Sequence, residues 1–273
     1  MASVLPFVPG AGQSAICKGI RQGLLVGAAC LAIAVPAAVH SDTLGNSPVA
    51  ARVHRTPEVM ARSSARFADF GTARPSPDAR HVADWVADSN DNADTDFVII
   101  DKKQARLYVF DASARLRAST PVLLGAARGD DSVPDIGTRP LADVRPEERT
   151  TPAGRFLAER GHDTSGDDVV WVDYDASVSM HRVITTSPKE RRLERLATPT
   201  AADNRISWGC INVPAAFYET MIRPIFAARR AVVYVLPDIK PVQAVFNSYD
   251  VAAAHGLPLN IQGRAARVAQ SAR

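Results

Sequence analysis

Cysteine is scarce in this chain: among 273 residues it occurs at Cys17, Cys30 and Cys210 only. Charge of one sign is lacking too, with 32 Lys and Arg against 29 Asp and Glu. Two of the basic residues, Lys18 and Arg21, precede the first acidic residue, Asp42, so the rest of the chain carries 30 against 29, a balance of +1. A near-neutral body has no electrostatic footprint for nucleic acid, and that partner class is excluded. No apolar run reaches the ~20 residues a membrane span needs. The longest near the amino end, residues 23–35 (GLLVGAACLAIAV), follows Lys18 and Arg21 and precedes the small residues Pro36, Ala37 and Ala38. That is the layout of an export signal over residues 1–41, with an uncleaved anchor or a lipid site at Cys30 as the alternatives. All three place the remaining chain outside the cytoplasm, in the periplasm or cell envelope, touching a membrane only through an uncleaved signal. If the signal is removed, Cys210 has no partner for an internal disulfide, and it is either an inert buried thiol or one used for chemistry.

Other absences narrow the chemistry further. There is no His-Glu-x-x-His and no Cys-x-x-Cys, so a zinc site has no support. Gly10-Ala-Gly12 lies in the export segment, without the strand and helix of a dinucleotide site. Asp130, Asp131 and Asp135 lack the spacing of a calcium loop and read as loop solvation. No metal or organic cofactor is implied.

Along the chain, residues 42–93 show little apolar periodicity and read as a linker with a short helix near Val82 to Val86. Character changes at Asp96. Runs at 97–101, 105–110, 116–124, 154–159, 169–174, 177–184 and 231–236 are rich in β-branched and alternating apolar residues and predict strands. A long polar stretch at 129–151 is of the kind that is functional or mobile in compact domains. Residues 188–196 (PKERRLERL) predict a charged helix opened by proline, and 214–222 a second helix. A domain over 94–238 follows, and 239–273 is a polar, Ala-rich tail with no role assigned.

The sharp feature is the segment 207–214, Ser-Trp-Gly-Cys-Ile-Asn-Val-Pro. Gly209 allows a tight turn whose peptide N–H groups can converge on an oxyanion. Cys210 after it is predicted at a loop end shortly before the helix at Pro214, where N–H groups favour the thiolate. Of six histidines, His181 lies in an alternating run, and a base on a strand is better positioned than one on a loop. Asn212 is read as turn-stabilising or catalytic, Ser207 as a loop hydrogen-bonder, and Arg205 as a fork for a substrate carboxylate or a solvated charge.

Four blocks in order, Gln104-Ala-Arg-Leu107, Thr151-Pro-Ala-Gly-Arg-Phe156, His181, and Ser207 with Gly209, Cys210, Ile211 and Asn212, resemble the catalytic domain of the bacterial L,D-transpeptidases. The likeness covers about half of the chain, from about Phe97 to Pro237. It implies a mainly β fold, a curved β-sandwich or barrel-like domain with a few peripheral helices. It also implies Cys210 as nucleophile and His181 as base, with the Arg182 carbonyl orienting the imidazole and the N–H groups around Trp208, Gly209 and Cys210 holding the oxyanion. The implied partner is the peptide stem of peptidoglycan. Two departures stand out. Trp208 replaces the family's second histidine, and indole donates one hydrogen bond without titrating. The spacer after His181 is longer than usual and includes 188–196, expected as a lid. The alternatives are a hydrolase on the same scaffold and a wall-binding module without catalysis.

Overall fold

The structure is a computed structural model that describes residues 64–258 except 228. The export segment 1–41, the start of the linker and the end of the tail lie outside the described residues. The first element is α1 (Pro77–Ser89), followed by β1 (Phe97–Asp101), β2 (Arg106–Phe110), β3 (Leu116–Pro121) and the short β4 (Leu124–Gly125). After three short 3₁₀ turns come β5 (Gly154–His162), β6 (Asp168–Asp173) and β7 (Val178–Arg182). Then α2 (Arg192–Ala197) precedes β8 (Arg205–Ser207) and β9 (Ile211–Val213). The chain continues through α3 (Ala215–Phe217), a π-turn at Tyr218–Ile222, α4 (Arg223–Phe226), β10 (Ala231–Val235), α5 (Val242–Phe246) and α6 (Val251–Ala254).

Eight strands form one sheet in the order β3-β2-β1-β10-β5-β6-β7-β9, with β4 and β8 as a separate parallel pair. The sheet is barrel-like and nearly closed. Just past β3, at one edge, the Leu123 N–H donates to the Asn212 carbonyl at 3.0 Å, and the Asn212 N–H to the Leu123 carbonyl at 2.9 Å, on the opposite edge strand β9. The seam of the barrel therefore falls two residues from Cys210. The fold is mainly β with few helices, in keeping with the alternating runs of the sequence.

The central strands explain why their sequences are apolar throughout rather than alternating. On β1, Val98 and Ile100 enter the interior cluster with Leu107, Val170, Met180, Ile211 and Val233. Phe97 and Ile99 face the other way, into a second cluster with Tyr108, Phe110, Tyr234 and the α1 residues Val82, Trp85 and Val86. Both faces of the strand are covered, which calls for an unbroken apolar run. Tyr218, Ile222 and Phe226 complete the interior cluster from the helical stretch after β9.

Within the stretch read as linker, the short helix expected near Val82 to Val86 is a packed helix over Pro77–Ser89. Ser76 caps it by accepting from the Ala79 N–H at 3.1 Å, Pro77 occupies its first turn, and its Ala-rich buried face lies on the sheet. Likewise α5 and α6 belong to the described body: Val242 and Phe246 are buried in the second cluster beside Trp85 and Tyr234.

Candidate active site

Cys210 sits in the connection between β8 and β9. Gly209 before it has φ +134, and a Cβ there would lie 2.8 Å from the Thr150 carbonyl oxygen, so glycine is required. Two hydroxyls clamp this turn. Ser207 Oγ donates to the Cys210 carbonyl at 2.6 Å and accepts from the Gly209 N–H at 3.2 Å. Thr151 Oγ1 donates to the Gly209 carbonyl at 2.7 Å and accepts from the Gly125 N–H at 2.9 Å. The Gly209 N–H, expected to face an oxyanion, is therefore committed to Ser207. Among the described residues the Cys210 and Trp208 N–H groups have no acceptor, and these two are available.

The expected helix at Pro214 does not reach the thiol. The strand β9 intervenes, and Pro214 caps a helix starting at Ala215. Help for the thiolate comes instead from β7. That strand runs parallel to β9 with His181 opposite Asn212 and Met180 opposite Ile211. His181 and Ser179, two apart, share a face of β7. The imidazole Nδ1–H donates to the Arg182 carbonyl at 2.7 Å, which fixes the tautomer and leaves Nε2 for the thiol. His181 and Cys210 lie close enough for each to shift the other's proton affinity. Ser179 Oγ lies 3.6 Å from the sulfur, and the Ser177 carbonyl 3.7 Å from it.

Burial works against charge on both partners. For Cys210 it is outweighed by the bond to His181, its positive charge and the Ser179 N–H, which together hold the thiol below its ordinary value. For His181 it is outweighed by the bond to Cys210, the thiolate charge and the Arg182 carbonyl, which raise the imidazole, while nearby Arg192 opposes them. The pair is thus biased toward thiolate and imidazolium, the reactive state of a cysteine nucleophile. A cleft of about 390 Å³ opens beside His181, lined by Asp163, Asp167, Asp168, Val169, Arg182, Val183 and Ile184.

The other residues singled out from the sequence have different fates. Arg205 is neither a substrate fork nor a solvated charge. Its guanidinium grips Asp238 at 2.6 and 3.1 Å and donates to the Lys102 carbonyl at 2.8 Å, with 7% of the side chain exposed. It is one corner of a buried cluster in which Lys102 Nζ donates to Asp130 at 3.1 Å and to the Thr151 carbonyl at 2.8 Å. Two positive and two negative groups balance there, which is what allows them to be buried. The Arg182 side chain is bound to Asp168 at 2.9 Å and to Glu219 at 2.6 Å, so only its carbonyl serves the site. Trp208 is 38% exposed, and the Arg149 guanidinium stacks 3.6 Å over its ring. Asn212 is buried; its Nδ2 donates to the Cys210 carbonyl at 3.3 Å and its Oδ1 accepts from Arg192 at 2.7 Å. Ser179 and Arg192 escaped the sequence reading. The alternation of β7, which puts residue 179 on the face of residue 181, was the signal for the first. Among the described residues no group of three His, Cys, Asp or Glu side chains is arranged to hold a metal, and no helix is long and apolar enough to cross a membrane.

No protein-family model and no curated protein matches the chain. Among solved structures it is similar to an L,D-transpeptidase from Enterococcus faecium, at 15% identity over 52% of this chain and 50% of that one, with a TM-score of 0.28. It is also similar to the helical cell shape determining protein Pgp2 from Campylobacter jejuni, at 14% identity over 57% and 55%, TM-score 0.35. A third is an L,D-transpeptidase from Mycobacterium smegmatis, at 14% identity over 52% and 58%, TM-score 0.27. The chain spans little more than half the length of these three structures. At these scores the likeness does not carry an activity; the site's own chemistry has to.

Proposed function

We propose that the protein is an exported cysteine acyl-transfer enzyme of the cell wall, an L,D-transpeptidase acting on peptide stems of peptidoglycan. One observation carries the reading: an imidazole locked by a backbone carbonyl at Nδ1 offers its other nitrogen to a thiol on a glycine turn. The four sequence blocks that resemble this family, and the placement of the Thr151 block against the Cys210 block, support it.

In this reading the Cys210 thiolate attacks the carbonyl of the third stem residue, a diamino acid. The oxyanion is met by the N–H groups of Cys210 and Trp208. The intermediate collapses with cleavage of the C–N bond, and His181 gives its proton to the departing amine of D-alanine, leaving a thioester. An amine from a neighbouring stem then attacks the thioester, passes a proton to His181 Nε2, and expels the thiolate. The carboxylates of Asp163 and Asp167 on the cleft beside His181 would attract a cationic acceptor amine to that region, where it must lose a proton before it attacks.

Incubation with a carbapenem tests the nucleophile: a mass adduct that maps to Cys210 and vanishes in Cys210→Ala is expected. Isolated muropeptides distinguish the outcomes downstream, with cross-linked dimers expected and trimmed stems pointing to the hydrolase. Native protein that gives no adduct yet is retained by wall sacculi would leave only a binding module.

A further inference from the structure

The spacer between His181 and Cys210 places a guanidinium beside the pair. Residues 188–196 carry Lys189, Arg191, Arg192 and Arg195 against Glu190 and Glu194, a balance of +2. The segment is docked rather than loose: Leu196 is buried, and Arg195 Nε donates to the Glu190 carbonyl at 2.7 Å. Within it, Arg192 turns inward with 11% of its side chain exposed. Its Nε donates to Glu190 Oε2 at 2.5 Å and its Nη1 to Asn212 Oδ1 at 2.7 Å. Asn212 in turn holds the Cys210 carbonyl and lies opposite His181 in the sheet. Arg192 is close enough to act electrostatically on His181.

A guanidinium has five N–H donors in a planar fork and loses much hydration when enclosed. For Arg192, Nη2 has no acceptor among the described residues. The residue also borders an open hollow of about 170 Å³ shared with Thr185, Ser187, Leu193 and the charged pair Arg191 and Glu194, so a ligand can reach it. A planar anion with two oxygens is the natural complement of that vacant edge.

We propose that Arg192 is the carboxylate-recognising residue of the site, selecting acyl donors that carry a free carboxylate next to the bond attacked by Cys210. This rests on the acyl-transfer reading above. Binding the carboxylate to a group that also holds Asn212 ties donor recognition to the position of the nucleophile's own carbonyl.

The experiment compares alkylation of Cys210 by iodoacetate and by iodoacetamide, read by peptide mapping, in the full-length protein. The two reagents differ by one carboxylate. Removing a charged hydrogen bond lowers affinity by at least about tenfold, so Arg192→Gln is expected to lower the iodoacetate to iodoacetamide rate ratio by that factor. Arg192→Lys, which keeps the charge, retains part of it. Lys189→Gln, removing an exposed charge that does not line the hollow, leaves the ratio within about twofold, since exposed charges are screened. With muropeptide donors, Arg192→Gln raises KM for a stem ending in a free carboxylate and not for its amide. A ratio untouched by Arg192→Gln, or lowered equally by Lys189→Gln, overturns the assignment while the acyl-transfer reading stands. A Cys210 thiol inert to both reagents sinks both.

Discussion

Replacing Gly209 by alanine tests whether the turn is what arms the thiol. The backbone there has φ +134, and the added Cβ would sit 2.8 Å from the Thr150 carbonyl and 3.6 Å from Val178. Holding a non-glycine residue in that conformation costs about 1–3 kcal/mol. The clash is with backbone, so residues 150 and 151 must move, and with them the Thr151 hydroxyl that holds the Gly209 carbonyl at 2.7 Å. Losing that buried bond adds about 1–3 kcal/mol. The sum, about 2–6 kcal/mol, should lower Tm by roughly 5–20 °C for a body of this size. Displacing the Cys210 N–H by a few tenths of an ångström removes a donor worth about 10²–10³ in rate. Thermal melting and the rate of carbapenem acylation measure the two effects separately. A variant that melts like the native protein and is acylated within twofold of its rate would refute the claim that this turn is sterically required.

Three further outcomes follow from the same geometry. His181→Gln removes the bond and the charge that hold the Cys210 thiol down against burial; the thiolate, present in the native protein below the ordinary thiol range, should appear only at higher pH, shifting the alkylation profile upward and cutting turnover by about 10²–10⁴. Asp84, pushed up to about 6 by burial, makes folding more favourable when protonated, so its contribution is full below the ordinary value of 3.8 and lost as pH rises through about 6. Asp84→Asn should therefore stabilise by about 1–3 kcal/mol at pH 7.5 and by only about 0.5 kcal/mol at pH 4; equal changes in Tm at the two pH values would contradict this. Trp208→Ala should leave carbapenem acylation within about tenfold of native, since the indole makes no contribution to proton transfer, while KM for muropeptides rises; loss of acylation as complete as in Cys210→Ala would show that the indole does more than offer a surface ring to the substrate.

How much of this was legible in the sequence depended on the range of the interactions. The strands were readable because alternation and β-branching are local, and β7 runs beside β9 with His181 opposite Asn212, two residues from Cys210. The helix α1 is longer than the short helix expected near Val82 to Val86 because three of its seven buried residues are alanine and one is Asp84, which blurs the periodic signal, although the Ser76-Pro77 start was in plain view. Arg205 was misjudged because its partner Asp238 lies 33 residues on, and the cluster they join draws Lys102 and Asp130 from two other segments. No local pattern announces such a set. The role given to Pro214 failed for a different reason: three residues of β9 fit between cysteine and helix, and a boundary error of that size reverses an electrostatic argument that acts only over one helical turn.

The substitution of Trp208 for a histidine bears on whether the site is alive, and the wiring of the turn answers it in part. The turn is held by Ser207, Thr151 and the constraint at Gly209, with contacts that pass through backbone atoms and these two hydroxyls. Residue 208 contributes none of them. Its side chain projects to the surface, where Arg149 from the long 129–151 stretch covers the ring. A titrating group at 208 would stand under that guanidinium, whose positive charge disfavours a second one, so a histidine there would be held neutral. Loss of a proton carrier at this position therefore removes little that the surroundings could have used. In the proposed mechanism the proton is carried by His181, whose Nδ1–H is held by the Arg182 carbonyl at 2.7 Å and does not depend on residue 208.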